Sequence, residues 1–275
     1  MSTAREIEEV EIELFLEGFY RCYGFDYRHY AAASLKRRIH AFMGKEEIHT
    51  VSALQDKVLH DAATMQRFVL DVSVNVTDMF RDPPFYRSFR EKVVPLLRES
   101  LQARIWHAGC SSGEEVYSLA ILLQEEGVYD RCRIYATDLN TAVLKRAEEG
   151  IFALSKMQGY SKNYLSAGGH GSLAQYYTAR YDSAIFHAPL RRNVVFAQHN
   201  LATDGSFNEF DAILCRNVLI YFNQELQARV LKLFRDSLTL GGVLALGAKE
   251  SLRTPPLVPG FEELDGAAKL YRMVR

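Results

Sequence analysis

The sequence predicts an α/β chain: a doubly wound, mostly parallel sheet that follows an all-helical N-terminal segment and is interrupted by a small β insert. Three observations predict it. Short apolar runs at 105–108, 133–137, 193–197 and 210–215 alternate with segments of helical period, the signature of strands linked by crossover helices. Residues 1 to about 80 place their apolar side chains at helical spacing only. Between 151 and 192 both periods fail, and Gly159, Gly168, Gly169 and Gly171 punctuate a stretch in which Tyr176, Tyr177, Tyr181 and Phe186 alternate with polar residues.

Taken in order, Ile7, Val10 and Leu14, then Phe15, Gly18 and Phe19, lie at helical intervals. After a break near Gly44 the period resumes through Leu54, Val58, Met65, Phe68, Val69 and Val72. Between these lies a basic stretch with Arg28, Lys36, Arg37, Arg38 and Lys45, which is either a solvated helix face or a surface for an acidic helical partner. Residues 73–84 then interleave Asn75, Thr77 and Arg81 with Val74, Val76, Met79 and Phe80. Pro83 and Pro84 close this segment, so it reads as a hinge dividing a helical domain, 1–82, from an α/β domain, 83–275. Polar residues at such a junction face a cleft. A further helix, 85–97, leads to the first strand.

That strand ends in IWHAGCSSGEE, residues 105–115, where Gly109 opens a small-residue loop and Gly113 precedes a helix. In an open α/β sheet such a turn faces a nucleotide-like ligand, because glycine permits close backbone approach. The spacing is G-x-x-x-G, not the G-x-G-x-x-G of a dinucleotide site, and no P-loop lysine follows. Glu114 and Glu115 at the helix start would repel phosphate and suit a cation. The second strand ends in Asp138, placed to hold a ribose diol or, alternatively, to cap the helix starting at Thr141 or Ala142. Ribose without phosphate, together with a positive charge, describes S-adenosylmethionine.

The irregular region is expected to hold an inserted β-subdomain at 160–193. A third strand at 193–197 runs into Gln198, His199, Asn200 and Leu201, and a fourth at 210–215 into Arg216, Asn217 and Tyr221 at the carboxyl edge of the sheet. A helix over 224–238 is expected to stop at Gly241-Gly242. Strands at 243–247 and 270–274 complete the sheet, the last as its antiparallel edge.

Composition narrows the function classes. The 275 residues carry 33 basic against 34 acidic side chains, which gives no reason to expect nucleic acid. No apolar run approaches the ~20 residues of a membrane span, and the acidic N-terminus lacks a signal-peptide core. Cys22, Cys110, Cys132 and Cys215 are far apart, without C-x-x-C spacing, and read as reduced thiols in a cytoplasmic protein with neither metal nor disulfide.

Five motifs in order, YAAASLKRRI, NVTDMFRD, AGCSSGEEVYS, ATDLN and CRNVLIYF, resemble the CheR family of chemoreceptor glutamate methyltransferases over nearly the whole chain. The resemblance implies a small helical domain, a doubly wound S-adenosylmethionine-dependent methyltransferase sheet and a β-subdomain inserted in it. It further implies that Asn75, Thr77 and Arg81 reach the cofactor and the substrate carboxylate, with Arg81 and Tyr221 catalytic. Gly109 would line the cofactor loop, Glu114 or Glu115 would meet the methionine portion, Asp138 the ribose, and Asn200 with Leu201 the adenine. Arg216 and Asn217, with Tyr221, would close the pocket. Arg28, Lys36, Arg37 and Arg38 would face the cytoplasmic helical signalling domain of a methyl-accepting chemoreceptor, met by a monomer without membrane insertion.

Departures from the family pattern are Met79 in place of a second Phe, Val116 in place of Pro, and Lys249 in place of Ser. The stretch 176–196 is short and lacks the glycine-containing loop of members that bind a receptor's C-terminal pentapeptide, so the chain reads as independent of that tether. The competing readings are a methyltransferase of the same fold acting on another protein or a small acid, and a non-catalytic S-adenosylmethionine-binding signalling module. The presence of Arg81 and Tyr221 argues against the second.

Overall fold

The computed structural model describes residues 3–73, 77–252 and 259–275. The chain forms two compact units: Met1–Asn75 with Ile220–Arg229, and Val76–Leu219 with Val230–Arg275. The division expected at residue 82 does not contain this return of 220–229 to the N-terminal unit.

The first unit is built from α1 (Ala4–Tyr23), α2 (Ala32–Lys45), α3 (Val51–His60) and α4 (Ala62–Val72). Three of these helices start at capping side chains, and α2, preceded by Ala31, does not. Thr3 and Glu6 form a reciprocal capping box on α1, while Thr50 and Asp61 cap α3 and α4 by accepting backbone N–H bonds. Gly24, at φ 77°, ends α1 in the left-handed conformation that favours glycine. The core is a ring cluster in which Phe15, Phe19 and Phe42 each meet Phe68 at centroid distances of 5.1, 5.3 and 5.3 Å. The apolar face expected for α1 is therefore only half right. Phe15, Leu16 and Phe19 are buried, whereas Ile7, Val10 and Leu14 are 52 to 60 % exposed. Segment 220–229 joins this unit by a bridge between Tyr30 and Phe222, by Ala31 N–H donating to the Tyr221 carbonyl (2.8 Å), and by Asn223 N–H donating to that of His29 (2.8 Å).

The second unit opens with α5 (Pro83–Ser88) and α6 (Val94–Glu99). The single helix expected there is broken by a π-helical turn, Phe89–Val93. Then follow β1 (Ala103–Ala108), α7 (Glu114–Glu125), β2 (Cys132–Asp138) and α8 (Thr141–Glu149). The insert comprises β3 (Ile151–Ala153), α9 (Met157–Ser166), β4 (Tyr177–Arg180) and β5 (Ser183–Phe186). It begins earlier than the expected 160 and carries a helix. Last come β6 (Val194–Gln198), β7 (Phe210–Cys215), α10 (Gln224–Ser237), which starts in the first unit, β8 (Leu238–Leu246), β9 (Phe261–Asp265) and β10 (Leu270–Met273).

The main sheet has the order β6-β2-β1-β7-β8-β10-β9. Pairings from β6 through β8 are parallel, and β10 is antiparallel to both neighbours. Two expectations are corrected here. β10 is not the edge, because β9 pairs outside it. The Gly241-Gly242 doublet does not stop a helix: α10 ends at Ser237 and the doublet lies within β8, where Gly241 takes φ 83°. The chain winds outward from β1 in one direction and returns at β7 to wind in the other, so the β1/β7 carboxyl edge is the switch point where ligands bind in open α/β sheets. The three strands of the insert pair antiparallel in the order β3-β5-β4, and only Tyr181 and Asp182 connect β4 to β5. Phe152 and Phe186 pack edge-on against Tyr117 of α7, tying the insert to the core.

Candidate functional site

At the switch point, Gly109 and Cys110 leave β1 by donating their N–H groups to the Thr137 carbonyl at 2.8 and 2.9 Å. Gly109 needs to be glycine on two counts, a φ of 75° and a virtual Cβ only 2.5 Å from Val218 Cγ2. Ser111 N–H donates to Asp138 Oδ2 at 2.9 Å, and Asn140 N–H to Oδ1 at 3.0 Å. Asp138 is therefore the lock between two loops and not the cap of α8. That cap is Asn140, whose Oδ1 accepts from Ala142 N–H. Burial raises the Asp138 carboxyl above its ordinary value, against the lowering effect of these N–H bonds.

The two glutamates at the start of α7 part company. Glu114 accepts from Ser112 Oγ at 2.6 Å and lies 3.4 Å from Tyr160 Oη and 3.8 Å from Lys156 Nζ. Burial pushes its carboxyl pKa up. Glu115, equally buried, lies 2.8 Å from Arg216 Nη1 and 3.7 Å from His107 Nε2. Burial alone would raise it, but Arg216 and then His107 outweigh burial and hold it at about 2. Glu115 is spent on a close internal ion pair, whereas the nearest cation to Glu114 among the described residues, Lys156, lies at 3.8 Å.

Arg216 goes with Glu115. Its side chain is 1 % exposed, with the guanidinium 3.9 Å above the Phe85 ring and Nη2 donating to Asp82 Oδ2 at 2.8 Å. Both Nη atoms also approach the Arg81 carbonyl oxygen at 3.4 Å. The expected pocket residue is therefore placed as an interior strut.

Arg81 itself sits at a strained corner. Phe80 and Asp82 on either side take φ of 50° and 59°, values uncommon for residues other than glycine. Phe80 is anchored by its buried ring and by its N–H donating to Ser118 Oγ at 2.9 Å, and the Met79 carbonyl accepts from Asn163 Nδ2. Thr77 is half-buried just before the corner, and Asn75 lies outside the described residues.

Asn217, at φ 60°, follows Arg216, and its N–H and that of Val218 donate to the two oxygens of Glu250 at 3.0 and 2.9 Å. Gly247 N–H donates to the same carboxylate at 2.6 Å, so Glu250 fastens the loop after β7 to that after β8. Asn200 organises a turn, its Oδ1 accepting from Ala202 N–H while its own N–H donates to Asp204, and Leu201 is buried. Sequence reasoning missed Asp82, Lys156, Tyr160 and Glu250. Of these only Asp82, adjacent to Arg81, carried a local signal.

The remaining expected residues group with the first unit. Tyr221 lies 4.9 Å beneath the Arg38 guanidinium. Arg38 also donates to the Val72 carbonyl and to Ser34 Oγ. Arg28 is bound to Glu17 and Asp26, and Lys36 to Glu8. Arg37 is exposed and makes no ion pair among the described residues.

The residues fit S-adenosylmethionine. Ser111 Oγ, Asn140 Nδ2 and Asn217 Oδ1 are buried without hydrogen-bond partners along one sheet edge, which is what an edge built to receive a polar ligand shows. Glu114 adds a carboxylate for a cationic group.

Comparison with known proteins agrees. Residues 75–263 match the CheR methyltransferase, SAM binding domain, and residues 10–73 the CheR methyltransferase, all-alpha domain. The chain is 46 % identical to Cher3 of Pseudomonas putida over 270 residues, 98 % of this chain and 99 % of that one. It is 32 % identical to the chemotaxis protein methyltransferase of Listeria monocytogenes over 234 residues, covering 84 % and 86 % of the two chains. Chemotaxis protein methyltransferase 1 of Pseudomonas aeruginosa is 30 % identical over 239 residues, 80 % and 82 %. With its sheet edge suited to S-adenosylmethionine and both domain types matched in order, the chain belongs to the CheR family of S-adenosylmethionine-dependent chemotaxis methyltransferases.

Proposed function

We propose that the protein methylates glutamate side chains of a chemoreceptor's cytoplasmic helical signalling domain, forming methyl esters. The observation that carries this reading is the anchored, strained corner that holds Arg81 next to the carboxyl edge of the sheet. Bound S-adenosylmethionine supplies a sulfonium methyl group; an acceptor carboxylate oxygen forms the new C–O bond as the C–S bond breaks, its electron pair staying on sulfur.

The acceptor, with an ordinary pKa near ~4.3, is already ionised at neutral pH, so the protein needs no strong base. What it contributes is orientation and exclusion of water. Arg81 holds one carboxylate oxygen by charge-assisted hydrogen bonds and leaves the other to attack. Asp138 and Thr77 grip the donor, Asn200 and Leu201 take its adenine, and Asn217 offers a buried acceptor; the NVTDMFRD motif alone assigns Asn75 to the donor. On the CRNVLIYF motif the proposal also assigns Tyr221 a catalytic role.

Arg37 is the leading candidate for receptor docking, since Arg28, Lys36 and Arg38 already have intramolecular partners. The two-residue connection at Tyr181-Asp182 leaves no loop there for a receptor tail, which supports activity without a tether.

The test is transfer of labelled methyl from S-adenosylmethionine to a receptor signalling domain, followed by mild alkali. Release as methanol is expected, with equal rates on a receptor lacking its last residues. Alkali-stable label would sink the glutamate assignment, and a rate lost with the tail would sink tether independence.

A further inference from the structure

We infer that Asp82 is a positioning residue for methyl transfer, acting through Arg81 by way of the buried Arg216. The inference rests on the proposed role of Arg81. Asp82 and Phe80 are the two left-handed residues that flank Arg81; at a bulky residue such as Phe80 that backbone persists only where the surroundings over-determine it, and Asp82, which adopts it more readily, is fixed through its side chain. On the Phe80 side the constraint is a ring 0 % exposed and a bond to Ser118. On the other side it is the 2.8 Å bond from Arg216 Nη2 to Asp82 Oδ2.

Arg216 is itself immobilised. Glu115 holds its other terminal nitrogen at 2.8 Å and the Phe85 ring lies 3.9 Å beneath it. The same guanidinium reaches the Arg81 carbonyl. One buried cation therefore pins both the backbone of Arg81 and the side chain of the next residue to the ends of β7 and α7, the elements that frame the cofactor edge. The geometry serves orientation, because the position of the Arg81 backbone limits where its guanidinium can present a carboxylate. A displacement of about 1 Å at an orienting group is enough to cost two orders of magnitude in rate.

Asp82→Asn tests this without disturbing the left-handed backbone, which Asn tolerates, or the Glu115–Arg216 pair. In the full-length protein we expect kcat/KM for a receptor signalling domain to fall by about tenfold, with S-adenosylhomocysteine affinity by calorimetry within about twofold of the parent. The same substitution in an Arg81→Lys background should cost less than about twofold, because residues acting as one unit are not additive. A full tenfold further loss in that background would overturn the inference, as would an unchanged kcat/KM in Asp82→Asn alone, or loss of cofactor affinity equal to the loss of rate. Failure of the underlying reading is separately visible: Arg81→Lys by itself would then keep parental kcat/KM, and the coupling through Arg81 would fall with it.

Discussion

At the residue scale, the site divides its carboxylates by what each faces. Asp138→Ala removes the lock between two loops and a buried acceptor, so S-adenosylhomocysteine should bind roughly ten- to hundredfold more weakly. Arg81→Ala should abolish transfer and leave that affinity largely intact, and calorimetry on both variants checks the division. Equal losses would refute it.

Glu114 has a raised pKa, so its charge is lost on acidification at a pH above the ordinary 4.5. Cofactor affinity should therefore decline with falling pH before an exposed glutamate would titrate, and Glu114→Gln should flatten the part of the profile that Asp138 does not contribute. Glu115 has the opposite shift, from 4.5 to about 2. Its stabilising contribution is fully present above the unfolded value near 4.5 and is lost as pH falls through the folded value, roughly 3 kcal/mol in all. Urea unfolding between pH 5 and about 2 should show this loss in the parent and much less of it in Glu115→Gln. That variant should itself be destabilised by up to about 3 kcal/mol at neutral pH, since it leaves the buried Arg216 with only the partly exposed Asp82 as counter-ion.

At the element scale, two turns decide whether the cofactor edge forms. Gly109→Ala should cost about 1–3 kcal/mol, part from φ 75° and part from the Val218 side chain. Adding Val218→Ala should recover the steric part only. Gly113→Ala meets Ala147 at both Cβ (2.9 Å) and backbone Cα (3.0 Å) with φ 94°, so Ala147→Gly should relieve only the first contact and leave most of the cost. Thermal unfolding of these variants separates the two cases. The elements most legible in the sequence were those whose signals are local. The G-x-x-x-G loop, the strand ending in Asp138 and the strand ending in Arg216-Asn217 each follow from a run of about six residues. The Gly241-Gly242 doublet was misread because a glycine pair after an amphipathic helix looks the same whether it ends the helix or bends the next strand. Pairing to β7 and β10 decides between them.

At the scale of the whole molecule, charge is nearly balanced, and much of the basic cluster is neutralised within the first unit. Arg37→Glu should raise KM for the receptor domain, most strongly at low salt, with kcat unchanged. An unchanged KM would make α2 a solvated face.

The sequence by itself determined the fold class, because strand and helix periods and glycine spacing are written over short distances, and its five short motifs carried the resemblance to the family and, with it, the cofactor. Only the tertiary structure decided which of two adjacent glutamates is committed to an internal ion pair, since neighbours on a helix point about 100° apart and Glu115 finds Arg216, 101 positions away. It likewise decided that Arg28, Lys36 and Arg38 are already engaged, that Ile7, Val10 and Leu14 are exposed, and that Arg216 meets both Asp82 and the Arg81 carbonyl. Each of these depends on a partner brought close by folding, and no period or motif in a single strand of sequence encodes that distance.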